Sequence, residues 1–322
     1  MPRSTMSLVA AFSLCFAATV SGQPPTTGAQ WWSTDPNLNC TGFHALIHEI
    51  SLASGGKGYA CGVTGEFIWS SAGGDWTTSI RMAAPASGAV GVQYVFLDED
   101  GKRISLDTVS GSVRAATDTV GISLRPNQAS DVQLLGASAD APLHGRTQTG
   151  SVFALILCPD AGTCATVAPQ LVYSAAPLRP WLLNVPIAWD NSFSFLQPSG
   201  VATRWSATGI QSDTDGISFA IYNQSLAPAT YTVRVYDSTG SLVAQGLTPP
   251  VPGANGVDRA GGTRGYLLAD LLRTPIPPGV VKVIIEGSGP ASAIFLQFSR
   301  ESATALQPTQ DVVLVNASRT GM

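Results

Sequence analysis

The sequence predicts an all-β protein in which two β-sandwich modules follow an export signal. Charged residues form only 12% of the 322-residue chain, whereas typical soluble domains contain about 25%. Glycine and proline are abundant beside many β-branched residues, a composition typical of short strands separated by tight turns. A pattern of alternating apolar residues also occurs twice in the chain, which predicts two copies of one strand arrangement.

Residues 1–22 have the pattern of a signal peptide. Arg3 supplies a positive charge, Leu8 to Val20 are largely apolar, and Val20 to Gly22 offer small residues for cleavage. A membrane span needs about 20 apolar residues, and the longest strongly apolar run of the remaining chain is only Val152 to Cys158. We therefore expect a secreted, periplasmic or cell-surface protein whose mature chain has no transmembrane segment.

Removal of the signal peptide would leave Cys40, Cys61, Cys158 and Cys164. An even number of cysteines in an oxidising compartment favours disulfides, and four cysteines permit three pairings. The short loop between Cys158 and Cys164 contains turn residues and favours local closure, which would leave Cys40 to pair with Cys61. Zinc is the alternative, but neither cysteine pair has CxxC-like spacing or neighbouring clustered histidines.

The internal repeat predicts the strands. Thr77 to Met82 and Gly91 to Leu97 are expected to be successive strands of the first module, with apolar side chains alternating along each. Ile217 to Tyr222 and Thr230 to Tyr236 align with them without a gap and are expected to be their copies. Single strands cannot bury an apolar face alone, so each copy is expected to stack two sheets.

Each pair of strands ends in a polar turn, Asp98–Gly101 in the first copy and Asp237–Gly240 in the second. An aspartate at the first position can cap backbone amides, and a glycine at the last can adopt positive φ. The extra acids Glu99 and Asp100 make calcium an alternative for the first turn. Only the aspartate and the glycine are shared, so turn chemistry is the favoured interpretation.

Several further segments are assigned by comparison of the two copies. Glu66–Ser70 and Val185–Trp189 are expected to precede the modules, Ser151–Leu157 resembles Ala291–Phe298, and Tyr266–Leu272 has the leucine spacing of a helical turn. The predicted segments are a signal peptide at 1–22, an N-terminal extension with a disulfide at 23–65, the first module at 66–176, a linker at 177–184, the second module at 185–306, and a C-terminal tail or last strand at 307–322.

Many short strands in two copies point to sandwiches of immunoglobulin or fibronectin-III type. The segments Gly73–Ile80, Phe96–Gly101 and Val185–Asn191 support this, because they resemble tandem immunoglobulin-like modules in exported proteins of environmental bacteria. The resemblance covers roughly residues 66–300. It implies a fold and an extracellular location, and it transfers no catalytic residues.

His44 and His48 are the strongest candidates for metal ligands, because they share one face of a helix or of a strand. The zinc-protease pattern HExxH would need a glutamate where Ala45 stands. No GxSxG motif occurs, and His144 is the only other histidine, so a serine hydrolase has no support. We expect no enzyme activity and no cofactor.

The tryptophans are the remaining candidates for a binding surface. Trp31 and Trp32 lie in the N-terminal extension, and Trp181 and Trp189 flank the expected linker. Tryptophan in a sandwich most often packs in the core or between modules, whereas exposed indoles can form a platform for sugar rings.

The expected function is therefore that of an exported, non-enzymatic structural or adhesion-like component of the cell surface or matrix. Its partner would be an unidentified protein or polysaccharide. The net charge of −4 and the lack of a basic run exclude nucleic acid as the expected partner. The alternatives are a carbohydrate-binding protein that uses exposed tryptophans and a metal-dependent enzyme at His44 and His48.

Overall fold

The computed structural model describes most of the chain after residue 29. The described residues are 30–42, 45–52, 54–74, 76–137, 147–175, 179–186, 188–189, 203–211, 216–223, 225–253, 261–276, 278–289, 291–298, 303–306 and 309–311. The predicted signal peptide at 1–22 and His144 lie outside them.

The described chain is all-β, with several antiparallel sheets and two short helices. The first half contains β1 (Leu46–Ser51), β2 (Lys57–Ala72), β3 (Thr77–Ala83), β4 (Val90–Asp98), β5 (Leu106–Ser110), β6 (Val113–Thr117), β7 (Thr119–Leu124), β8 (Ala129–Ala137), β9 (Gln148–Cys158), α1 (Ala161–Ala165), β10 (Gln170–Ala175), β11 (Arg179–Pro186) and β12 (Ala188–Trp189). The second half contains β13 (Arg204–Gln211), β14 (Gly216–Asn223), β15 (Tyr231–Tyr236), β16 (Leu242–Leu247), β17 (Thr263–Leu267), α2 (Leu268–Leu272), β18 (Val280–Gly287), β19 (Ala291–Phe298), β20 (Ala303–Leu306) and β21 (Thr309–Asp311).

The strands form four sheets, two in each half. Sheet 1 has the order β1-β2-β9-β4-β7, with β12 also paired to β2, and sheet 2 has the order β11-β10-β3-β8-β5-β6. Sheet 3 has the order β16-β15-β18-β13-β21, and sheet 4 has the order β17-β14-β19-β20. The predicted strands of both copies are confirmed as β3, β4, β14 and β15, and successive strands of each copy lie in different sheets.

The strand order of the second half repeats that of the first. In sheet 1, β2, β9, β4 and β7 are neighbours in that order, and β13, β18, β15 and β16 are neighbours in the same order in sheet 3. Sheet 4 repeats the run β11-β10-β3-β8 of sheet 2 as β20-β19-β14-β17. A register shift interrupts the pairing of β2 with β9 between Phe67 and Ser70, and that of β13 with β18 between Ala207 and Ile210.

Each half has an apolar core between its two sheets, so the architecture is β-sandwich-like. In the first half Tyr94 from sheet 1 and Ile80 from sheet 2 belong to one buried cluster. In the second half Val233 from sheet 3 and Phe219 from sheet 4 occupy the aligned positions of a second buried cluster. The alternating side chains of the repeat are thus the core-facing residues, as their period of two predicts. Leu268 and Leu272 of α2 are also buried in the second cluster, so the helical turn expected at Tyr266–Leu272 is confirmed for Leu268–Leu272, whereas Tyr266 and Leu267 end β17.

One expected pair of equivalent strands differs in the structure. Ser151–Leu157 lies in β9, whose counterpart by strand order is β18, whereas Ala291–Phe298 is β19, the counterpart of β10. The apolar runs of β9 and β19 are alike because both strands are buried in a sandwich core. β9 and β19 therefore have similar sequences although they occupy different positions in the two halves.

The segment expected as a linker at 177–184 lies largely in β11, which pairs with β10, and Ala188–Trp189 pairs with Glu66 and Gly65 of β2. Residues 179–189 therefore complete the first half, and the described strands of the second half begin with β13. Pro180 and Pro186 favour extended chain, and β11 tolerates them because it is the edge strand of sheet 2.

The two halves pack on each other through sheets 1 and 4. β14, β17 and β19 of sheet 4 contact β2 of sheet 1. The buried side chains of Ala220, Tyr222 and Ile294, which alternate with the core residues of the second half, belong to the apolar cluster of the first half. Within the described part of the chain, no helix has the length and apolarity that a membrane span requires.

Candidate functional site

The turn after β4 is built by its aspartate. Asp98 Oδ1 accepts hydrogen bonds from the backbone N–H groups of Asp100 and Lys102, both at 2.9 Å. The carbonyl of Asp98 accepts the N–H of Gly101 at 3.0 Å, and Gly101 has a φ of 78°. Since one carboxylate oxygen is held by two amides, this residue acts in turn formation, as the sequence pattern predicts.

The second copy of the turn has the same construction. Asp237 Oδ1 accepts the N–H groups of Thr239 and Ser241 at 2.9 Å, and Gly240 has a φ of 83°. The hydroxyl of Thr239 donates to the same oxygen at 2.6 Å. This hydroxyl and the amide of Ser241 hold the pKa of Asp237 below its ordinary value.

The two turns differ in their middle residues. In the first turn these residues contact the second half of the chain. Glu99 and Asp100 meet Arg264 at the start of β17. One guanidinium nitrogen of Arg264 lies 2.6 Å from Asp100 Oδ1, and the other contacts the Glu99 carboxylate at 3.6 Å and its backbone carbonyl. The acids that suggested calcium therefore connect the halves, and we call this contact the clasp (Glu99, Asp100, Thr263 and Arg264).

Backbone atoms extend the clasp. Thr263 donates its N–H to the carbonyl of Glu99 at 2.9 Å. This position is accessible because β17 is the edge strand of sheet 4, whereas its counterpart β8 is covered by β5. Gly262 permits the close approach, since a Cβ there would lie 2.9 Å from the carbonyl oxygen of Glu99. The Glu99 side chain also accepts a hydrogen bond from Thr149 of β9, which fixes the turn on its own half.

The N-terminal segment packs on the outer face of sheet 1, at the end opposite the clasp. Trp31 is only 7% exposed and belongs to a small apolar cluster with Ala60, Leu155 and Leu157. Its indole lies over Gly91, where a Cβ would come within 2.7 Å of Cε2, and its Nε1–H donates to Ser123 Oγ at 3.1 Å. The ring face of Trp31 is therefore occupied by protein.

The other tryptophans have different surroundings. Trp32 is half-buried against the same cluster as Trp31. Trp76 packs edge-on against Tyr173, and Trp205 is buried in the core of the second half. The side chains of Trp69, Trp181 and Trp189 lie outside what the structure describes. Among the tryptophans whose side chains are described, only Trp32 and Trp76 are partly exposed.

The cysteines are paired as the loop lengths predict. Cys40 pairs with Cys61 and Cys158 with Cys164 at disulfide distance, with Cα–Cα separations of 5.3 and 5.5 Å. Cys61 and Cys158 are also direct partners in the register of β2 and β9. Both bridges therefore stabilise the same end of the first half, where one anchors the N-terminal segment and the other closes the loop that contains α1.

The candidate metal site has only one of its two histidines in the described chain. His48 lies on β1, half-buried, with its imidazole over Gly62, and burial lowers its pKa. His44 lies outside the described residues. Among the described residues, no group of three or more histidine, cysteine, aspartate or glutamate side chains is placed to hold a metal ion.

A groove of about 420 Å³ opens at the side of the first half, between β7 of sheet 1 and β5 and β8 of sheet 2. Its lining includes the apolar residues Val109, Ile122 and Leu124. Sequence reasoning gave no indication of it, because its walls come from strands that are distant in the chain. The hairpin β5–β6, which supplies one wall, has no counterpart among the described strands of the second half.

Comparisons with protein-family models, with curated proteins and with solved structures find no match for this chain. The evidence on function therefore comes from the clasp, the groove and the cysteine pairs, which favour an oxidising compartment.

Proposed function

We propose that this protein is an exported, non-enzymatic interaction component of the cell surface or extracellular matrix, built of two tandem immunoglobulin-like sandwiches that act as one rigid unit. The main observation in support of the proposal is the contact between the halves, which combines an apolar layer with the clasp. Inter-domain contacts within a chain are usually small and allow relative motion. A surface protein that holds a partner at a fixed position gains from suppressing that motion.

The cysteines support the proposed location. Both cysteine pairs lie at disulfide distance, and disulfides persist in oxidising compartments. The alternative of carbohydrate binding through exposed tryptophans has less support in the described chain. Trp31, one of its four candidate residues, is buried against Gly91 and Ser123.

Surface labelling in the organism that encodes the protein tests the proposal. Intact cells are treated with a membrane-impermeant amine reagent, and the exposed side chains of Lys57, Lys102 and Lys282 should react. The cysteines should remain unmodified by iodoacetamide until a reductant is added. Deletion of the gene should weaken cell attachment or matrix cohesion.

Two outcomes would contradict the proposal. A chain found inside the cell with thiols that alkylate without reduction would refute its location. An exported chain whose deletion leaves attachment and matrix cohesion unchanged would refute its role.

A further inference from the structure

We propose that the two disulfides form one exchange cluster, in which a dithiol leaves a single new bridge between Cys61 and Cys158 and frees the N-terminal segment. Cys40 and Cys164 end the exchange as thiols. The dithiol is of the class that disulfide oxidoreductases carry as a CxxC pair. This inference rests on the two bridges and does not depend on the proposed surface role.

The first argument is the position of the two strand cysteines. Cys61 and Cys158 are direct partners in the register of β2 and β9, so their side chains leave the sheet on the same face. That face is the core face, because Val63, two residues after Cys61, belongs to the buried cluster that contains Cys158. Cys164 Sγ lies 3.4 Å from the carbonyl oxygen of Cys61. The two disulfides are therefore neighbours.

The second argument is that the backbone already fits the new bridge. Direct partners across two antiparallel strands have Cα atoms about 4.5 or 5.5 Å apart. Disulfides occur at Cα separations of about 4.4–6.8 Å, and the existing bridges have separations of 5.3 and 5.5 Å. A bridge between Cys61 and Cys158 therefore requires rotation of two side chains and no movement of β2 against β9.

The third argument concerns access. Cys40 is 8% exposed and lies between the exposed residues Asn39 and Thr41, whereas the other three cysteines have no exposed surface. An external thiolate therefore reaches the sulfur of Cys40 first. A thiolate that attacks one sulfur of a disulfide expels the other sulfur as a thiolate. Attack at Cys40 places the new thiolate on Cys61, the strand partner of Cys158.

The exchange balances as a two-electron reduction. The first thiolate of the dithiol bonds to Cys40 Sγ, the bond from Cys40 to Cys61 breaks, and the electron pair goes to Cys61. Cys61 then bonds to Cys158 Sγ, the bond from Cys158 to Cys164 breaks, and Cys164 takes the electron pair and a proton. The second thiolate of the dithiol attacks the first sulfur of the dithiol, which releases Cys40 as a thiol. The dithiol becomes a disulfide, and its two protons end on Cys40 and Cys164.

The exchange changes how the N-terminal segment is held. Cys40 ties this segment to β2, and Trp31 packs over Gly91 on the outer face of sheet 1. After the exchange, noncovalent contacts alone hold the segment on the sheet, among them two backbone hydrogen bonds of 2.8 Å between Ser33 and Tyr59. The new bridge joins β2 directly to β9, so this end of the first sandwich stays closed while the segment is released.

Mass spectrometry of the chain without residues 1–22 tests the proposal. The purified, oxidised chain is treated with one equivalent of dithiothreitol, trapped with excess N-ethylmaleimide and digested without further reduction. We expect the label on Cys40 and Cys164, and a linked pair of peptides that contains Cys61 and Cys158.

Two double variants sharpen the test. Cys158→Ser with Cys164→Ser is the matched control, because it keeps the bridge that the dithiol attacks and lacks the bridge that Cys61 attacks. Its label should appear on Cys40 and Cys61. The second variant, Cys40→Ser with Cys164→Ser, leaves only the two strand partners and should form their bridge on oxidation.

Hydrogen exchange measures the release of the segment. In the labelled product the amides of Ser33 and Tyr59 should exchange about tenfold faster than in the oxidised chain, because the covalent bridge no longer opposes their local opening. Exchange in β3 and β8 of sheet 2 should not change. Unchanged exchange at both amides would overturn the release.

Any other label pattern would overturn the exchange. Label on Cys40 and Cys61 in the unaltered chain would mean simple reduction of one bridge, and label on Cys158 and Cys164 would mean that the buried bridge is attacked first. A second variant that folds and forms no bridge would show that the strand partners cannot pair. The label pattern is measured on the purified chain, so its failure leaves the proposed surface role standing. A location inside the cell would refute that role and leave the exchange standing.

Discussion

The turns Asp98–Gly101 and Asp237–Gly240 have the same backbone and different surroundings. In both turns one aspartate oxygen accepts the amides two and four residues later, and a glycine adopts positive φ. The middle residues of the first turn bind Arg264 of the other half, whereas Ser238 and Thr239 of the second turn are exposed. The comparison shows that the shared residues build the turn and the divergent residues decide what it contacts.

The halves also differ in covalent stabilisation, and the largest expected effect follows from this. All cysteines of the chain precede residue 165, so no disulfide can form within the second half. Replacing Cys40 and Cys61 with alanine should cost about 3 kcal/mol of unfolding free energy, and replacing Cys158 and Cys164 about 2 kcal/mol, because the second pair closes a shorter loop. Urea unfolding measures both costs.

Hydrogen exchange shows which strands lose stability when the disulfides are reduced. Reductant should accelerate amide exchange in β2 and β9 more than in their counterparts β13 and β18. Equal acceleration in counterpart strands would mean that the bridges do not stabilise the first half selectively.

The next effect concerns the clasp. Arg264→Ala should reduce the unfolding free energy by about 2 kcal/mol, because charge-assisted hydrogen bonds to Glu99 and Asp100 are lost. Arg234→Ala is the matched control, since Arg234 has a similar exposure and pairs with Glu286 inside the second half. Limited proteolysis should release separate halves from the first variant faster than from the control. Equal release from both would contradict a role for Arg264 in docking.

A smaller effect is expected when the first turn receives the middle residues of the second. The double substitution Glu99→Ser and Asp100→Thr keeps Asp98 and Gly101, so the turn should form. The loss of the partly exposed ion pairs should cost about 1 kcal/mol and reduce the salt dependence of the melting temperature. The reverse change, Ser238→Glu with Thr239→Asp, is the control and should add no stability. A gain in the control would show that acids stabilise this turn without docking.

The smallest effect is a pH dependence at the second turn. The pKa of Asp237 is lowered in the folded chain by the hydroxyl of Thr239 and the amide of Ser241. Its contribution to stability is therefore present above the ordinary value of 3.8 and is lost as the pH falls through the lowered value. Asp237→Ala should lower the melting temperature at neutral pH, and the difference from the unaltered chain should vanish in strong acid. Ser238→Ala should show no such pH dependence, and a constant difference for Asp237→Ala would contradict this account.

Sequence reasoning predicted the local features well, because those features are encoded locally. The alternation around Ile80 and Phe219 identifies core-facing strand positions, and the Asp-x-x-Gly spacing identifies the turns. The short separation of Cys158 and Cys164 favours the pairing that the structure has. Each of these depends on residues that are near in sequence or repeated in the chain.

The remaining features depend on distant residues. Pro177 and Pro180 suggested a linker, and only the pairing of β11 with β10 shows an edge strand. Arg264 could not be connected to Glu99 and Asp100 by any local pattern. The signal that could have found the clasp was the asymmetry of the repeat, since two acids present in one copy of a turn and absent from the other require an explanation outside the turn.

A double-mutant cycle between Asp100 and Arg264 tests the central claim, that the clasp joins the two halves into one unit. The unfolding free energy is measured for the unaltered chain, Asp100→Ala, Arg264→Ala and the double variant. The contact at 2.6 Å predicts a coupling energy of about 1 kcal/mol. A coupling energy of zero would mean that the two side chains do not interact across the halves, and the account of a rigid pair would fail.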